Sequence, residues 1–350
     1  MEKLLSVKGL DVRFRVRGQT LRALRGIDLD LYRGESLAIV GESGSGKSVL
    51  TKALAGMLEH NGRIEAGTIE FEGRDLTKLS HRHMARLRGS KIATVFQDPM
   101  TSLNPIVPIG RQLTDVIRAH QHCTVPEARR RALEMMEKVG IPNSARRFYD
   151  YPFQYSGGMR QRIVIAIALC CQPQILICDE PTTALEVTIQ AQILALIRSL
   201  QKELGYSVVF ITHDLGVVAN MADRVAVLYA GQVVELGTAE EIFYDPRHPY
   251  TWALLSSLPQ LVMPGQSLYS IAGSPPSLYQ QPKGDPFAPR NPHCMRIDTL
   301  IEPPLFPVSD THFARTWLMD PRAPRVKKPE SICNLHEKMK RLSEMEGRMR

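Results

Sequence analysis

One short stretch constrains the fold of this chain more than any other. Residues 41–48 read Gly-Glu-Ser-Gly-Ser-Gly-Lys-Ser and fit the phosphate-loop pattern G-x-x-x-x-G-K-[ST] at every fixed position. The apolar residues 36–40 before the loop are typical of a buried strand, and residues 49–57 after it suit a helix. A strand, a glycine-rich turn and a helix in this order form the structural context that the motif requires.

The residue types of this loop suit the binding of phosphate groups. Glycine allows successive backbone N–H groups to point inward at a phosphate, and the following helix adds the positive end of its dipole. We predict that Lys47 reaches the β- and γ-phosphates of a nucleotide and that the Ser48 hydroxyl binds Mg²⁺. The predicted nucleotide-binding residues of the loop are Gly41, Ser43, Gly44, Gly46, Lys47 and Ser48.

Length and composition exclude some classes of protein. The chain has 350 residues, enough for a sizeable core and more than one domain. No signal peptide is recognisable at its start. The longest uninterrupted apolar run, residues 163–171, is too short to cross a bilayer, so we do not expect a channel.

The chain has six cysteines and no C-x-x-C pair, which suits a protein of the reducing cytoplasm. The net charge of +8 fits a surface facing nucleic acid or anionic lipid, and equally an ordinary solvated face.

The pattern of apolar residues predicts several structural layers. Residues 4–35 alternate between apolar and polar, which indicates half-exposed antiparallel strands. Helical periodicity dominates residues 107–170. The apolar runs 175–178 and 207–211 are typical of core strands, and the amphipathic helix between them predicts a right-handed βαβ unit in a parallel sheet. A hairpin is predicted around residues 230–231, and proline becomes frequent beyond residue 250.

Two further stretches carry groups suited to phosphate chemistry. Residues 154–162 read Gln-Tyr-Ser-Gly-Gly-Met-Arg-Gln-Arg, in which the Ser156 hydroxyl and the amides of Gly157 and Gly158 could form a second anion site at a helix start. Residues 175–180 form an apolar strand that ends in Asp179, a predicted Mg²⁺ ligand, and Glu180, a predicted base for the attacking water. The alternatives are a glycine helix cap and two solvated acids at a strand end.

Together these stretches resemble the motifs of ABC (ATP-binding cassette) ATPases, in the order found in that family, over residues 1–245. The resemblance implies that Gln97 contacts Mg²⁺ and the attacking water and that His213 contacts the γ-phosphate. It implies that Phe14 stacks on adenine, although an aromatic residue in a strand is usually part of the core. It also implies that residues 156–158 close over the nucleotide of a partner subunit. Glu186 occupies a position that belongs to the same dimer contact, and the family usually has Asp at this position.

Residues 97–105, 179–185 and 248–255 narrow the resemblance to the ATPase subunits of oligopeptide and dipeptide permeases. The expected fold is α/β: an ABC nucleotide-binding domain over residues 1–250 and a proline-rich C-terminal extension over residues 251–350. The domain is expected to contain a parallel-sheet core with the phosphate loop, an antiparallel β subdomain and a helical subdomain inserted at about residues 100–170. The implied activity is ATP hydrolysis coupled to peptide import, at the cytoplasmic face of the cell membrane.

The resemblance also implies partners. They are transmembrane permease subunits, a second ATPase subunit that is identical or homologous, and indirectly an extracellular solute-binding protein. Direct contact with nucleic acid is not expected. Two alternatives stay open: an importer ATPase for another solute such as nickel or opines, and a soluble ABC ATPase acting on nucleic acid or ribosomes, which only the basic charge supports.

The C-terminal extension departs from its relatives at one set of positions. Many relatives place four cysteines there to hold an iron–sulfur cluster, whereas this chain has Asp285, Asn291, Asp298 and Thr316. Iron–sulfur clusters need thiolate ligands, so we expect ATP and Mg²⁺ but no cluster. We predict that these residues form a hydrogen-bonded turn network, in preference to a site for a hard cation.

Overall fold

The computed structural model describes residues 2–183, 185–258, 271–280 and 282–333. These residues form two sheets, one of four strands and one of eight, with helices packed around the larger sheet. None of the described helices combines the length and the apolar character needed to cross a membrane. The expected α/β class is confirmed, and the part of the C-terminal extension from residue 334 onward lies outside the described residues.

The four-stranded sheet is antiparallel and has the order β2-β1-β4-β5. Its strands are β1 (Lys3–Val16), β2 (Gln19–Tyr32), β4 (Gly62–Phe71) and β5 (Arg74–Asp75). The predicted antiparallel strands are therefore present, with Val12 opposite Leu24. The expectation that they are half-exposed was wrong for residues 4–7, all of which are buried, because both faces of this part of β1 are covered.

The eight-stranded sheet has the order β11-β12-β10-β9-β3-β8-β7-β6. Its strands are β3 (Ser36–Val40), β6 (Ile92–Val95), β7 (Ile175–Asp179), β8 (Ser207–Ile211), β9 (Arg224–Tyr229), β10 (Gln232–Thr238), β11 (Phe306–Pro307) and β12 (Phe313–Ala314). The pairs joining β6, β7, β8, β3 and β9 are parallel, and β9 and β10 form the predicted hairpin. Because parallel strands end at the same edge, the residues that follow β3, β6, β7 and β8 are brought together there.

Eleven α-helices occur in the described part of the chain. They are α1 (Lys47–Leu54), α2 (His81–Leu87), α3 (Pro99–Ser102), α4 (Ile109–His120), α5 (Val125–Lys138), α6 (Ser144–Arg147), α7 (Gly157–Leu169), α8 (Val187–Leu204), α9 (Leu215–Met221), α10 (Ala239–Tyr244) and α11 (Pro249–Ser256). Helices α3 to α7 are the helical insertion that the sequence predicts. Apolar residues of α4, α5 and α7 share one core with the side chains of β6, β7 and β8, so the insertion is packed directly on the parallel sheet.

The amphipathic helix α8 illustrates why the position of a helix could be predicted from the sequence. Its buried face is Ile193, Leu194, Ile197 and Leu200, at the spacing of one helical face, and these residues join the core beside β7 and β8. The helix ends at Gly205, whose positive φ of 73° suits a left-handed C-terminal cap. Local periodicity and one capping residue thus set both the position and the end of this helix.

The described part of the C-terminal extension is packed on the domain and completes the large sheet. Strand β12 pairs with β10, with Ala314 opposite Glu235, and β11 pairs with β12. His312 Nε2 lies 2.8 Å from Glu235 Oε1, and both side chains are buried. Neither strand was predicted from the proline-rich sequence of this region, because two-residue strands show no periodic pattern.

The four residues predicted to form a turn network, Asp285, Asn291, Asp298 and Thr316, are all buried. A side-chain oxygen of Asp285, Asn291 and Thr316 accepts a hydrogen bond from the backbone N–H two residues further along the chain. Asp298 accepts one from the N–H three residues back, at 2.6 Å. The predicted turn network is therefore present, and it joins two segments because Asp285 N–H donates to the backbone oxygen of Asp298 at 2.7 Å.

Asp285 is expected to make the stability of the protein depend on pH. Burial raises its pKa from 3.8 to about 7, and the carboxylates of Asp298 and Glu302 add to this against the opposing charge of Arg315. Since the pKa is higher in the folded state than in the unfolded state, stability is lost as the pH rises from about 4 to about 7. Asp285→Asn buries no charge, so its advantage over the wild type should grow between pH 5 and pH 8 by on the order of 1–3 kcal/mol.

This effect is measured by thermal unfolding of both proteins across that pH range. Asp310→Asn, which changes an exposed carboxylate of the same region, is the matched control and should shift the curves little. A difference between the Asp285→Asn variant and the wild type that stays constant from pH 5 to pH 8 would contradict the prediction.

Candidate active site

The phosphate loop lies between β3 and α1, at the edge where the parallel strands end. Gly41 has a φ of 152°, and a Cβ there would lie 2.2 Å from the backbone oxygen of Leu228. Gly46 has a φ of 106°, and its Cβ would lie 2.9 Å from the oxygen of Ala23. The loop packs closely against the neighbouring strands β2 and β9. Because of this packing, only glycine fits at these two positions. Ser43 and Gly44 are exposed on its outer side.

Lys47 is the buried cation of the loop, with a relative exposure of 7%. Its Nζ donates hydrogen bonds to the carbonyl oxygens of Gly41 at 2.8 Å and Glu42 at 2.9 Å. Burial lowers the pKa of Lys47, and the nearby carboxylates of Glu180, Asp179 and Glu42 oppose this. A partly desolvated ammonium enclosed by a curled backbone suits an anionic ligand.

The hydroxyl of Ser45 supports the same conclusion. Its Oγ is buried and has no hydrogen-bond partner among the described residues, although a buried polar group normally has one. This unsatisfied atom lies inside the glycine-rich loop, beside the backbone of Gly41. The loop as folded therefore has the glycine backbone, the cation and the spare polar group that a bound phosphate requires.

Two of the three residues predicted to contact Mg²⁺, Ser48 and Asp179, are in contact with each other. The Ser48 hydroxyl, in the first turn of α1, lies 3.3 Å from Oδ1 of Asp179 at the end of β7. Burial raises the pKa of Asp179, and the hydrogen bond from Ser48 and the charge of Lys47 oppose this. A hydroxyl and a carboxylate side by side form the oxygen donor set that Mg²⁺ prefers, so the residues present fit this ion.

Glu180 is the residue on which the predicted catalytic groups converge. One carboxylate oxygen, Oε2, lies 3.2 Å from Nε2 of Gln97 and 3.0 Å from Oγ1 of Thr183. The other, Oε1, lies 3.3 Å from Nδ1 of His213. The structure thus brings together Glu180, Gln97 and His213 from three strand ends. The contact with Thr183 was not predicted from the sequence, because nothing in the type of this residue indicates it.

The backbone of Glu180 is strained. Its φ is 48°, in the left-handed region that non-glycine residues rarely occupy, and its N–H is held by the carbonyl oxygen of Ile211 in β8 at 3.0 Å. Such strain persists only where the surrounding structure enforces it, and it is concentrated at functional sites. Here it places the carboxylate beside the ends of β6 and β8.

Comparison with known proteins agrees with this geometry. A family model of ABC transporters matches residues 24–183, and one of the oligopeptide/dipeptide transporter C-terminal region matches residues 234–297. The oligopeptide transport ATP-binding protein AmiE of Streptococcus pneumoniae is 61% identical over 96% of this chain and 95% of its own length. This chain belongs to the oligopeptide/dipeptide branch of the ABC transporter ATP-binding proteins. The recognition made from its motifs is confirmed.

Another relative matches this ABC subunit over almost its full length, and a solved structure matches two thirds of it. The dipeptide transport ATP-binding protein DppD of Lactococcus lactis is 52% identical over 99% of both chains. Among solved structures, the dimeric post-hydrolysis state of the ATP-binding cassette MJ0796 bound to ADP and Pi has a TM-score of 0.60. It is 27% identical and covers 67% of this chain and 98% of its own. The ABC cassette fold is therefore confirmed.

The second predicted anion site of the ABC subunit lies at the start of α7. Ser156 caps this helix, accepting a hydrogen bond from the N–H of Met159 at 3.4 Å. A Cβ on Gly158 would lie 2.7 Å from Ile189 of α8, so this position has no space for a side chain. The described contacts of residues 156–158 are thus helix caps and packing against α8. Their role toward the nucleotide of a partner stays a prediction.

Two predicted site residues of the ABC subunit are not joined to this cluster. Phe14 is only 9% exposed and belongs to the core of the antiparallel sheet, where its ring lies directly against Gly62. Glu186 is exposed at the start of α8 and makes no capping hydrogen bond with its side chain. Adenine stacking by Phe14 and a dimer contact by Glu186 stay predictions, and the burial of Phe14 favours a role in the core.

A set of contacts behind the phosphate loop of the ABC subunit was not predicted from the sequence. The N–H of Glu42 donates to the Tyr250 hydroxyl at 2.7 Å, and the Glu42 carboxylate accepts hydrogen bonds from Arg290. Position 42 is variable in the phosphate-loop pattern, and Arg290 lies 248 residues further along the chain. No local pattern could have indicated this pair.

Proposed function

We propose that this ABC subunit binds and hydrolyses ATP to energise the import of oligopeptides or dipeptides through a membrane transporter. The observation that carries the proposal is the convergence of Gln97, Thr183 and His213 on the strained Glu180, next to the phosphate loop. Such an arrangement suits phosphoryl transfer to water, in which the protein contributes mainly positioning and electrostatics.

In this proposal the phosphate loop holds the triphosphate. Backbone N–H groups of residues 41–48 and the ammonium of Lys47 contact the phosphate oxygens. Ser48 and Asp179 would hold Mg²⁺, and Gln97, which contacts Glu180, would be a further ligand. When bound there, Mg²⁺ supplies positive charge that offsets the charge on the phosphate oxygens.

Glu180 acts on the attacking water. Its carboxylate orients the water and accepts its proton while the water oxygen forms a bond to the γ-phosphorus. The bond between this phosphorus and the bridging oxygen of ADP breaks, so that ADP and phosphate are the products. His213 and Gln97, both within hydrogen-bonding reach of Glu180, contact the γ-phosphate and the water respectively.

Each ATP site is completed by a second ATPase subunit, identical or homologous. Residues 156–158 of one subunit close over the ATP held by the phosphate loop of the other, and Glu186 contributes to the contact between them. ATP binding closes the pair and hydrolysis reopens it, which moves the membrane subunits between two states. This arrangement is supported by the dimeric form of the related cassette MJ0796.

A surface of the helical insertion suits the transmembrane permease subunits. Among the described residues, several large apolar side chains are exposed between residues 99 and 155: Met100, Ile106, Val125, Tyr149, Tyr151 and Phe153. The guanidinium of Arg160 contacts both the Met100 sulfur and the carbonyl oxygens of Pro152 and Phe153, which places Met100 and Phe153 on one surface. Exposed apolar residues grouped in this way favour a protein interface. Docking there would hold the subunit at the cytoplasmic face of the membrane.

Peptides are proposed as the solute because the relatives with identities of 50–61% are named oligopeptide or dipeptide transport proteins. The matched C-terminal region carries the same description. These names favour peptides over nickel or opines, and only the basic charge supports nucleic acid or ribosomes as a target. A solute-binding protein delivers the peptide outside the cell, so the ATPase subunit does not contact it.

The test starts from tagged protein purified with its membrane subunits from detergent-solubilised host membranes. These complexes are reconstituted into liposomes with the solute-binding protein, and uptake of labelled peptides is measured with ATP on the side of this subunit. We expect ATP-dependent accumulation of peptides of a few residues, which an excess of nickel or opine does not reduce. Purification without any membrane subunit, or uptake of nickel or an opine alone, would refute the proposal.

A further inference from the structure

The matched C-terminal region contacts the phosphate loop through an ion pair. Arg290 Nη1 donates to Oε2 of Glu42 at 2.7 Å, and its Nη2 donates to Oε1 at 2.9 Å. Both carboxylate oxygens are therefore held by one guanidinium, in the bidentate geometry that makes Arg–carboxylate pairs strong. The Arg290 side chain is only 5% exposed, and the Glu42 side chain 24%, so solvent screens this pair little.

Arg290 is itself fixed by the extension around it. Its Nε donates to the carbonyl oxygen of Ala272 at 2.9 Å, and its Nη1 to the hydroxyl of Tyr229 at 3.2 Å. The guanidinium lies 5.8 Å from the ring centre of Tyr229 and 5.9 Å from that of Phe287. Phe287 packs edge-on against Tyr229 and also contacts Tyr250. The position of the guanidinium therefore depends on the folding of residues 271–280 and 282–291.

Glu42 is the residue of the loop where such a contact has most effect. Its carbonyl oxygen accepts a hydrogen bond from Lys47, and its N–H donates to the Tyr250 hydroxyl. The side chain, the N–H and the carbonyl of one residue are thus each held by a different element. A shift of Glu42 would move the loop backbone and the Lys47 ammonium together.

We propose that Arg290 is a positioning residue of the ATP site. Through its pair with Glu42 it sets the backbone of the phosphate loop, so the affinity for ATP depends on the C-terminal extension being folded. This inference rests on the proposed ATP site and adds a regulatory role for the extension. Because coupling between two sites is reciprocal, bound nucleotide must in turn stabilise the fold around Arg290.

A second ion pair of the extension, between Glu302 and Arg25, serves as the control for the pair between Arg290 and Glu42. The Glu302 carboxylate accepts a hydrogen bond from Arg25 at 2.7 Å and also contacts Gln232 and Arg315. It joins the extension to β2 and β10 without contacting residues 41–48. A variant of Glu302 therefore loosens the attachment of the extension and leaves the proposed positioning contact in place.

The test uses the full-length chain and isothermal titration with ATP. The variants are Arg290→Met, Arg290→Lys, Glu42→Gln, the double variant of Arg290→Met with Glu42→Gln, and Glu302→Gln as the control. We expect Arg290→Met and Glu42→Gln each to weaken ATP binding by about fivefold or more, the usual scale of coupling between sites. The double variant should be no weaker than either single variant, because the two residues act through one contact.

Arg290→Lys and the control Glu302→Gln distinguish two roles of Arg290: positioning the phosphate loop, and merely attaching the extension to the rest of the protein. Arg290→Lys keeps the charge but loses the bidentate geometry, so its affinity should lie between those of the wild type and Arg290→Met. Glu302→Gln should lower the melting temperature and leave ATP affinity unchanged. Wild-type affinity in Arg290→Met, effects that add in the double variant, or an equal loss of affinity in Glu302→Gln would overturn the inference.

A second measurement tests the reciprocal effect. We expect ATP to slow amide hydrogen exchange in residues 285–299 of the wild type, and to do so much less in Arg290→Met. Exchange rates that ATP leaves unchanged in the wild type would also overturn the inference. If the wild type fails to bind ATP at all, the proposed function fails; if it binds ATP and only the Arg290 predictions fail, the proposed function stands.

Discussion

Glu180→Gln is expected to stop ATP turnover in the assembled complex while ATP remains bound. The amide that replaces the carboxylate cannot accept the proton of the attacking water, and general-base catalysis contributes about 10²–10⁴-fold to a rate. The amide keeps the shape of the side chain and one oxygen acceptor, so the contacts with Gln97, Thr183 and His213 are partly preserved. Nucleotide binding, which uses the phosphate loop, should therefore stay close to normal.

This result is measured as phosphate release by the reconstituted complex and as ATP retained after gel filtration. Glu240→Gln, which neutralises an exposed glutamate of α10, is the matched control and should leave turnover unchanged. ATP retained without hydrolysis in Glu180→Gln supports the assignment of the base. Normal turnover in this variant would falsify it, because Glu180 would then be a structural strand-end acid.

Lys47→Ala is expected to lose most of the affinity for ATP. The ammonium is buried and close to the carbonyl oxygens of the loop, where it would face the phosphates. Truncating one partner of a buried charge pair costs about 2–5 kcal/mol, which corresponds to a loss of affinity of about 30- to 5000-fold. The two variants thus fail in different ways, Glu180→Gln in hydrolysis and Lys47→Ala in binding.

The affinity is measured by titration calorimetry at one fixed salt concentration. Lys52→Ala is the matched control, since Lys52 lies in the same helix but pairs with Glu59 at the surface. The melting temperature of Lys47→Ala must also be recorded, because Lys47 holds the loop carbonyls together. A folded Lys47→Ala protein with the affinity of the wild type would contradict the proposed role of this residue.

Local chemistry explains why much of this protein was predictable from its sequence. The positive φ angles of Gly41 and Gly46 and the apolar face of α8 arise within a few residues of chain, so the motif and the periodicity revealed them directly. The parallel order of the core strands then placed Asp179, Glu180 and His213 at one sheet edge. Pattern and topology thus indicated where these residues lie, whereas the roles of Gln97 and His213 came from the family resemblance.

The details of that cluster depended on neighbouring strands. The left-handed φ of Glu180 exists because its N–H is held by Ile211 of β8, and the contact with Thr183 follows from the turn that results. Sequence patterns report which residues lie at a strand end, whereas the direction of a side chain there is set by packing. The burial of Phe14 under Gly62 was decided in the same way, by a strand about 50 residues away.

The sequence by itself determined the phosphate loop, the order of the motifs and the α/β core, because each is encoded within one segment. Only the tertiary structure decided that the C-terminal extension completes the large sheet and that Arg290 holds Glu42. Those contacts join segments far apart in the chain, through strands of two residues and a single ion pair. Contacts of this kind leave no periodicity in the sequence, since they depend on how separately folded segments meet.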